Sequence, residues 1–136
     1  MATARALDVI GDWWSLLIVR DALNGIRRFN EFERSLGLAK NILSSRLKRL
    51  VEHGILETVP ASDGSAYSEY APTEKGLKLF PVVIALAQWG TEFLFEPSEP
   101  ISCPLDVDHH QPLRRIKVQA NDGRELGPAD IVSITR

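Results

Sequence analysis

The sequence predicts a mainly α-helical chain with one small β-hairpin, an α+β fold 136 residues long. Three observations carry this. Apolar residues recur at helical spacing along most of the first 95 residues. A single β-prone segment, Ile55–Val59, is followed by turn chemistry at Pro60–Ser65 and a second strand candidate at Ala66–Ala71. The two amphipathic stretches just before that hairpin are separated by one glycine, Gly37.

Residues 4–23 come first. They are apolar almost all round, through Leu7, Ile10, Trp13, Trp14, Leu17, Ile18 and Leu23, which predicts burial on more than one side. Gly11-Asp12 divides them, and Asp12 is placed to cap a second helix starting near Trp13. Asn24-Gly25 ends that helix. Phe29, Phe32 and Leu36 then predict a short amphipathic helix, and Gly37 a turn. Leu43, Leu47, Leu50 and Val51 predict a helix over Lys40–Glu52, closed by Gly54 where a left-handed residue is required. The hairpin follows, with Asp63-Gly64 at its tip. Thr73 caps a further helix, and Pro81 either kinks it or starts a new one. Val82, Leu86, Trp89 and Phe93 form one long apolar stripe. Residues 96–112, rich in Pro, Asp and Glu, read as a linker. The remainder, 113–136, reads as a small β-rich extension: strand-like runs at Arg115–Gln119 and Asp130–Thr135, with a hairpin turn at Asn121-Asp122-Gly123 leading to Arg124–Leu126. The expected organisation is therefore a 1–95 domain, a 96–112 linker and a 113–136 extension. A hairpin directly after the second helix of a helix–turn–helix makes a winged helix.

Composition narrows the function classes. The chain is 44% apolar and 25% charged, ordinary for a soluble globular protein. It has no apolar run long enough to span a membrane and no secretory signal pattern, so a cytoplasmic protein without membrane contact is expected. The single cysteine, Cys103, fits a reducing compartment. Net charge is −2, yet its distribution is uneven. Residues 26–53 carry a local balance of +4, and residues 92–108 a balance of −5. A phosphate backbone responds to the local charge.

The Lys40–Glu52 helix suits a DNA major groove, which admits one α-helix. Leu43, Leu47 and Leu50 anchor it, leaving Lys40, Asn41, Ser44, Ser45 and Lys48 on other faces. Asn pairs bidentately with adenine, and Ser bonds several base edges. Arg27, Arg28 and Arg49 are assigned to phosphates, which position without specifying. The competing reading of the same residues is a solvated helix face in a winged-helix module that mainly binds protein; the acidic linker and a wing poor in positive charge favour it.

The stretch ARALDVIGDWWSLLIVRDALNGIRRFNEFERSLGLAKNILSSRLKRLVEHGILE, followed by YSEYAPTEKGLKLFPVVIALAQWG, closely resembles the HxlR-type winged helix–turn–helix transcription regulators over about Ala4 to Gly90. Gly11-Asp12-Trp13-Trp14, Arg28-Phe29-Asn30-Glu31-Phe32, Leu43-Ser44-x-Arg46-Leu47, Gly54-Ile55-Leu56 and Tyr70-x-x-Thr73-Glu74-Lys75-Gly76 carry the likeness. The resemblance implies a bacterial or archaeal homodimer that binds a pseudo-palindromic double-stranded DNA operator, as a repressor. It implies dimer contacts from the first helix and the helix around Trp89; the candidates are Leu7, Ile10, Trp14, Val82, Leu86, Trp89 and Phe93. A small-molecule effector is compatible with the family, and no motif identifies one. Three departures stand out. Met1 occupies the place where many members have a cysteine, some of them sensors. Tyr67-Ser68-Glu69 and Asp63 leave the wing poor in positive charge. Ala39 stands where a capping Ser is common. The tail resembles the extension of some members in which paired cysteines suggest zinc; one cysteine cannot build that site.

Other chemistry is absent from the pattern. Asp106, Asp108, His109, His110 and Cys103 lack ligand spacing and read as linker polarity, not a metal site. Trp13, Trp14 and Trp89 read as core or interface residues rather than the lining of a ligand pocket. Cys103 lacks the His/Asn context of a nucleophile. The chain is read as a non-enzyme without a cofactor. An enzyme using the Cys103–His110 region is the weakest of the three functional readings.

Overall fold

The break at Gly11-Asp12 decides how the chain enters its fold. Helix α1, Ala2–Ile10, closes there as the Gly11 amide donates to the Leu7 carbonyl at 2.8 Å. Asp12 then accepts the amides of Trp14 and Ser15, at 3.2 and 3.1 Å, and the Ser15 hydroxyl. These bonds satisfy donors that a helix start leaves unpaired, so α2 runs Ser15–Leu23. The capping role of Asp12 is as expected, and the helix starts two residues after Trp13.

The computed structural model describes Met1–Thr135 and falls into two compact units, Met1–Val83 and the chain from Ile84 onward. In the first unit α3, Phe29–Leu36, and α4, Lys40–Glu52, follow α2. The α4 limits match the expected ones at both ends. Ile18, Val19, Phe32, Leu43, Leu47 and Leu50 are essentially sealed from solvent and form one cluster with Ile10, Ala22, Leu38, Ile55 and Leu56. Three helices thus place one apolar stripe each against a shared centre.

Gly54, at φ +70°, turns the chain out of α4. Strands β1, Leu56–Pro60, and β2, Ser68–Pro72, pair antiparallel with Thr58 opposite Tyr70. Each strand starts one or two residues later than its sequence pattern indicates. Ile55 is occupied otherwise: its carbonyl accepts the Thr73 amide at 3.0 Å, which ties the hairpin base shut. Thr73 caps α5, Glu74–Leu77, accepting the Gly76 amide at 3.1 Å. A Cβ on Gly76 would lie 2.2 Å from the Ile55 carbonyl oxygen, so only glycine allows this approach. Pro81 sits in the first turn of α6, Phe80–Phe93, and starts that helix rather than kinking it. Three helices, a two-stranded wing and the helix after it make a winged helix–turn–helix.

The single chain covers its apolar candidates unevenly. Residues 4–23 are not uniformly buried. α2 is largely inside, whereas α1 exposes all but its last residues, and Leu7 is 60% exposed. Among the candidate dimer contacts, Ile10 is part of this chain's own core and Trp14 packs half-buried against it. Ile10 is therefore covered within the chain, and Trp14 only in part. Leu7, Val82, Leu86, Trp89 and Phe93 are exposed, Trp89 by 54%.

In the second unit the Gln88 amide of α6 donates to the Arg114 carbonyl at 2.9 Å and accepts the Ile116 amide at 2.8 Å. Arg115 forms an ion pair with Glu92. The β-rich tail is a further correction. The turn at Asn121-Asp122-Gly123 forms, with the Gly123 amide on the Ala120 carbonyl at 2.9 Å. It carries only one isolated bridge, Gln119 to Glu125, and no strand. Leu105 and Pro112 make a second such bridge. Asp130 closes a 3-10 turn, Pro128–Asp130, by accepting the Gly127 amide at 2.8 Å, and residues 131–135 form no strand. The Arg115–Gln119 run thus meets its expected partner only briefly, with the Leu126 amide on the Val118 carbonyl and the Ala120 amide on the Arg124 carbonyl, both at 2.9 Å, whereas the run after Asp130 pairs with nothing among the described residues.

Candidate nucleic-acid interface

α4 presents its outer face because its inner face is fully used. With Leu43, Leu47 and Leu50 sealed in the core, a 3.6-residue period places Lys40, Asn41, Ser44, Ser45 and Lys48 outside, and all five are exposed. Their side chains carry no hydrogen bond or ion pair among the described residues. Ala39 makes no side-chain cap, as its chemistry dictates. The result is an uncommitted surface of two ammonium groups, one amide and two hydroxyls on one rigid helix.

The three arginines assigned to phosphates behave differently. Arg27 donates through Nη1 to the carbonyls of Ala22, at 2.7 Å, and Ile26, at 3.0 Å, bracing the turn between α2 and α3. Arg49 donates to the Asp8 carbonyl. Arg28 is held by two carboxylates of the wing: Nε meets Glu69 Oε2 at 3.2 Å, and Nη2 pairs with Asp63. The sequence assigns all three to phosphates, and the structure engages each of them inside the chain as well. A guanidinium has five N–H donors, so engagement leaves capacity but removes freedom.

The Arg28 cluster fixes the wing to the helix–turn–helix. The Tyr70 amide of β2 donates to the Arg27 carbonyl at 2.8 Å. Arg28 is the cap residue of α3, and its amide donates to Glu31 at 3.0 Å. Glu69, only 6% exposed, also accepts the Ser62 amide at 3.1 Å. That bond, opposed by desolvation and reinforced by Arg28, holds the Glu69 carboxyl below its ordinary pKa. The Ser65 amide and then Arg28 hold the Asp63 carboxyl far below its own. From Leu56 to Pro72 the wing contains Glu57, Asp63 and Glu69 and no Lys or Arg.

A second ion pair went unseen in the sequence. Arg46, on α4, donates to Asp12 at 3.0 Å. Desolvation works against the Asp12 charge, yet the Ser15, Trp14 and Arg46 contacts outweigh it and lower its pKa. The cap of α2 is thereby tied to the recognition helix candidate. Further on, Asp106 accepts the Asp108 amide at 2.8 Å and meets His109 Nδ1 at 3.2 Å, a local turn. Among the described residues no three His, Cys, Asp or Glu side chains converge on a metal position, and no helix is long and apolar enough to cross a membrane.

Comparison with known proteins agrees with this architecture. An uncharacterised HTH-type transcriptional regulator of Mycobacterium tuberculosis is 43% identical over 109 residues, 80% of this chain and 67% of the relative. The crystal structure of PA1607, described as a candidate transcription factor, is 50% identical and superposes with a TM-score of 0.93, covering 100% of this chain and 94% of that one. A candidate transcription factor of Pseudomonas aeruginosa, PA1374, is 37% identical with a TM-score of 0.69, over 98% of this chain and 90% of its own. The family model for HxlR-like helix-turn-helix proteins matches residues 9–98. With its winged helix–turn–helix and these relatives, the chain belongs to the HxlR-like helix-turn-helix family of transcriptional regulators.

Proposed function

We propose that the protein is a sequence-specific repressor that binds a pseudo-palindromic double-stranded operator as a homodimer. The observation that carries this reading is the exposed, unengaged face of α4. Asn41, Ser44 and Ser45 read base edges from the N-terminal half of the helix, and Lys40 and Lys48 flank them on phosphates. Arg27, Arg28 and Arg49 approach the backbone from their braced positions, each through the donors its internal bonds leave over.

The dimer is supported by the apolar stripe Val82, Leu86, Trp89 and Phe93 together with Leu7, all exposed in the single chain. An uncovered aromatic stripe of this kind marks an interaction surface. A closed two-fold pair covers it and sets two α4 helices about 34 Å apart, one turn of DNA. Residues 1–95 carry both activities.

Two measurements test the reading. A gel-shift of the full chain on duplex from its own upstream region, against scrambled duplex, is expected to show preference for the former. Sedimentation at micromolar protein is expected to give a dimer. Equal affinity for both duplexes would reject sequence-specific binding, and no binding at all would favour the protein-binding reading. A clean monomer would reject the paired half-sites.

A further inference from the structure

We propose that Asp63 is a built-in competitor for phosphate, an acidic side chain on the wing tip that occupies the Arg28 guanidinium until DNA displaces it. The inference rests on the reading of Arg28 as a phosphate contact.

The two carboxylates on Arg28 are not equivalent. Glu69 is buried, lies within β2 and is held by the Ser62 amide, so it aims the guanidinium through Nε and does not leave. Asp63 stands on the turn between the strands, its side chain 53% exposed, and meets Nη2 from the solvent side. Its other oxygen accepts the Ser65 amide at 2.9 Å, which presents the carboxylate at the tip. A phosphate oxygen and a carboxylate oxygen make the same kind of charge-assisted bond to a guanidinium. Asp63 therefore occupies a donor that a DNA phosphate would take, in a position a phosphate can reach. Glu57, the remaining wing carboxylate, is exposed and pairs with no cation among the described residues. It supplies the same charge without the contact.

The device is weak by design of its exposure. Half-exposed ion pairs contribute little, so Asp63 lowers affinity by a small factor and does not block binding. Its effect is greatest at low salt, where the pair is least screened.

The test uses the full chain and anisotropy of labelled duplex, one from its own upstream region and one scrambled, across a salt series. Asp63→Asn retains an acceptor for Ser65 and loses the charge. It is expected to bind both duplexes about two- to fivefold tighter at low salt, converging on the unmodified protein as salt rises. Glu57→Gln is expected to gain clearly less. In an Arg28→Gln background, Asp63→Asn is expected to gain nothing. A gain from Glu57→Gln equal to that from Asp63→Asn would replace the competitor with a general wing charge. A gain that survives Arg28→Gln would overturn the assigned contact. If the unmodified protein binds and Asp63→Asn binds no tighter, the inference falls alone. If no variant binds either duplex, the DNA-binding reading falls and takes this inference with it.

Discussion

The outer face of α4 and the wing that follows it are both polar, both exposed and adjacent in the chain. They use their charge in opposite ways. On α4 the three leucines are turned inward and Ile42 stays exposed, and Lys40, Asn41, Ser44, Ser45 and Lys48 have no side-chain partner among the described residues. On the wing two of the three carboxylates are partnered already, with Glu69 and Asp63 closed on Arg28. The difference teaches that a count of basic residues overstates a nucleic-acid surface. Of the seven cations between residues 26 and 53, Arg27, Arg28, Arg34, Arg46 and Arg49 are engaged internally. The lysines are what the α4 face has to offer.

The contrast breaks most completely if α4 loses its support. Leu47 has no exposed surface, and Leu47→Ala is expected to destabilise the domain by about 2–5 kcal/mol. Thr58→Ala, on the exposed side of the wing, is expected to stay within about 0.5 kcal/mol. Urea unfolding of both variants measures the difference, and comparable losses would show that the wing is as much a part of the core as α4.

Base reading comes next in size. Asn41→Ala and Ser44→Ala are expected to weaken operator binding and relax base preference, Asn41→Ala by about 1–3 kcal/mol if it makes a bidentate contact. Lys48→Ala should weaken binding to all sequences alike and reduce the salt slope by about 0.9. Binding titrations on a panel of substituted duplexes separate the two, and unchanged specificity in Asn41→Ala would mean another face reads the bases.

The smallest effect concerns acid. Asp63 and Glu69 titrate below their ordinary values, so the stability they lend the wing is complete above the usual carboxylate range and is lost as pH falls through their lowered ones. Between pH ~7 and ~5 the wing is expected to stay in place. On further acidification the amide resonances of Ser62 and Ser65 should shift while those inside α4 stay. Movement of the Ser62 amide already near neutrality would contradict the paired arrangement.

Much of the fold was legible because its signals are local. Thr73, Asp12 and Gly54 act on residues within a turn of themselves, and the limits of α4 follow from a leucine spacing and one glycine. The exposed polar face of α4 followed from the same spacing. What escaped was non-local. Arg28 finds Asp63 and Glu69 at separations of 35 and 41 residues, and Arg46 finds Asp12 at 34. A carboxylate-bearing wing without a single Lys or Arg was the available hint that an arginine elsewhere answers it. α1 shows the same limit: an apolar composition predicts that something covers a helix, not that the same chain does. In the tail the expected hairpin pairs over a single bridge, too short for a strand, and the run after Asp130 finds no partner among the described residues.

α1 has a consequence of its own. It is nine residues long, starts without a side-chain cap, and carries no acidic residue in its first turn or basic one in its last. A helix that short is marginal in water, where the cost of nucleation outweighs what a few hydrogen bonds return. Its single buried residue, Ile10, holds only its end. In the proposed dimer a second copy lies against Leu7, and helix formation and association then become one equilibrium. Far-ultraviolet circular dichroism should then rise with protein concentration at fixed temperature, a coil-to-helix transition driven by encounter rather than by cooling.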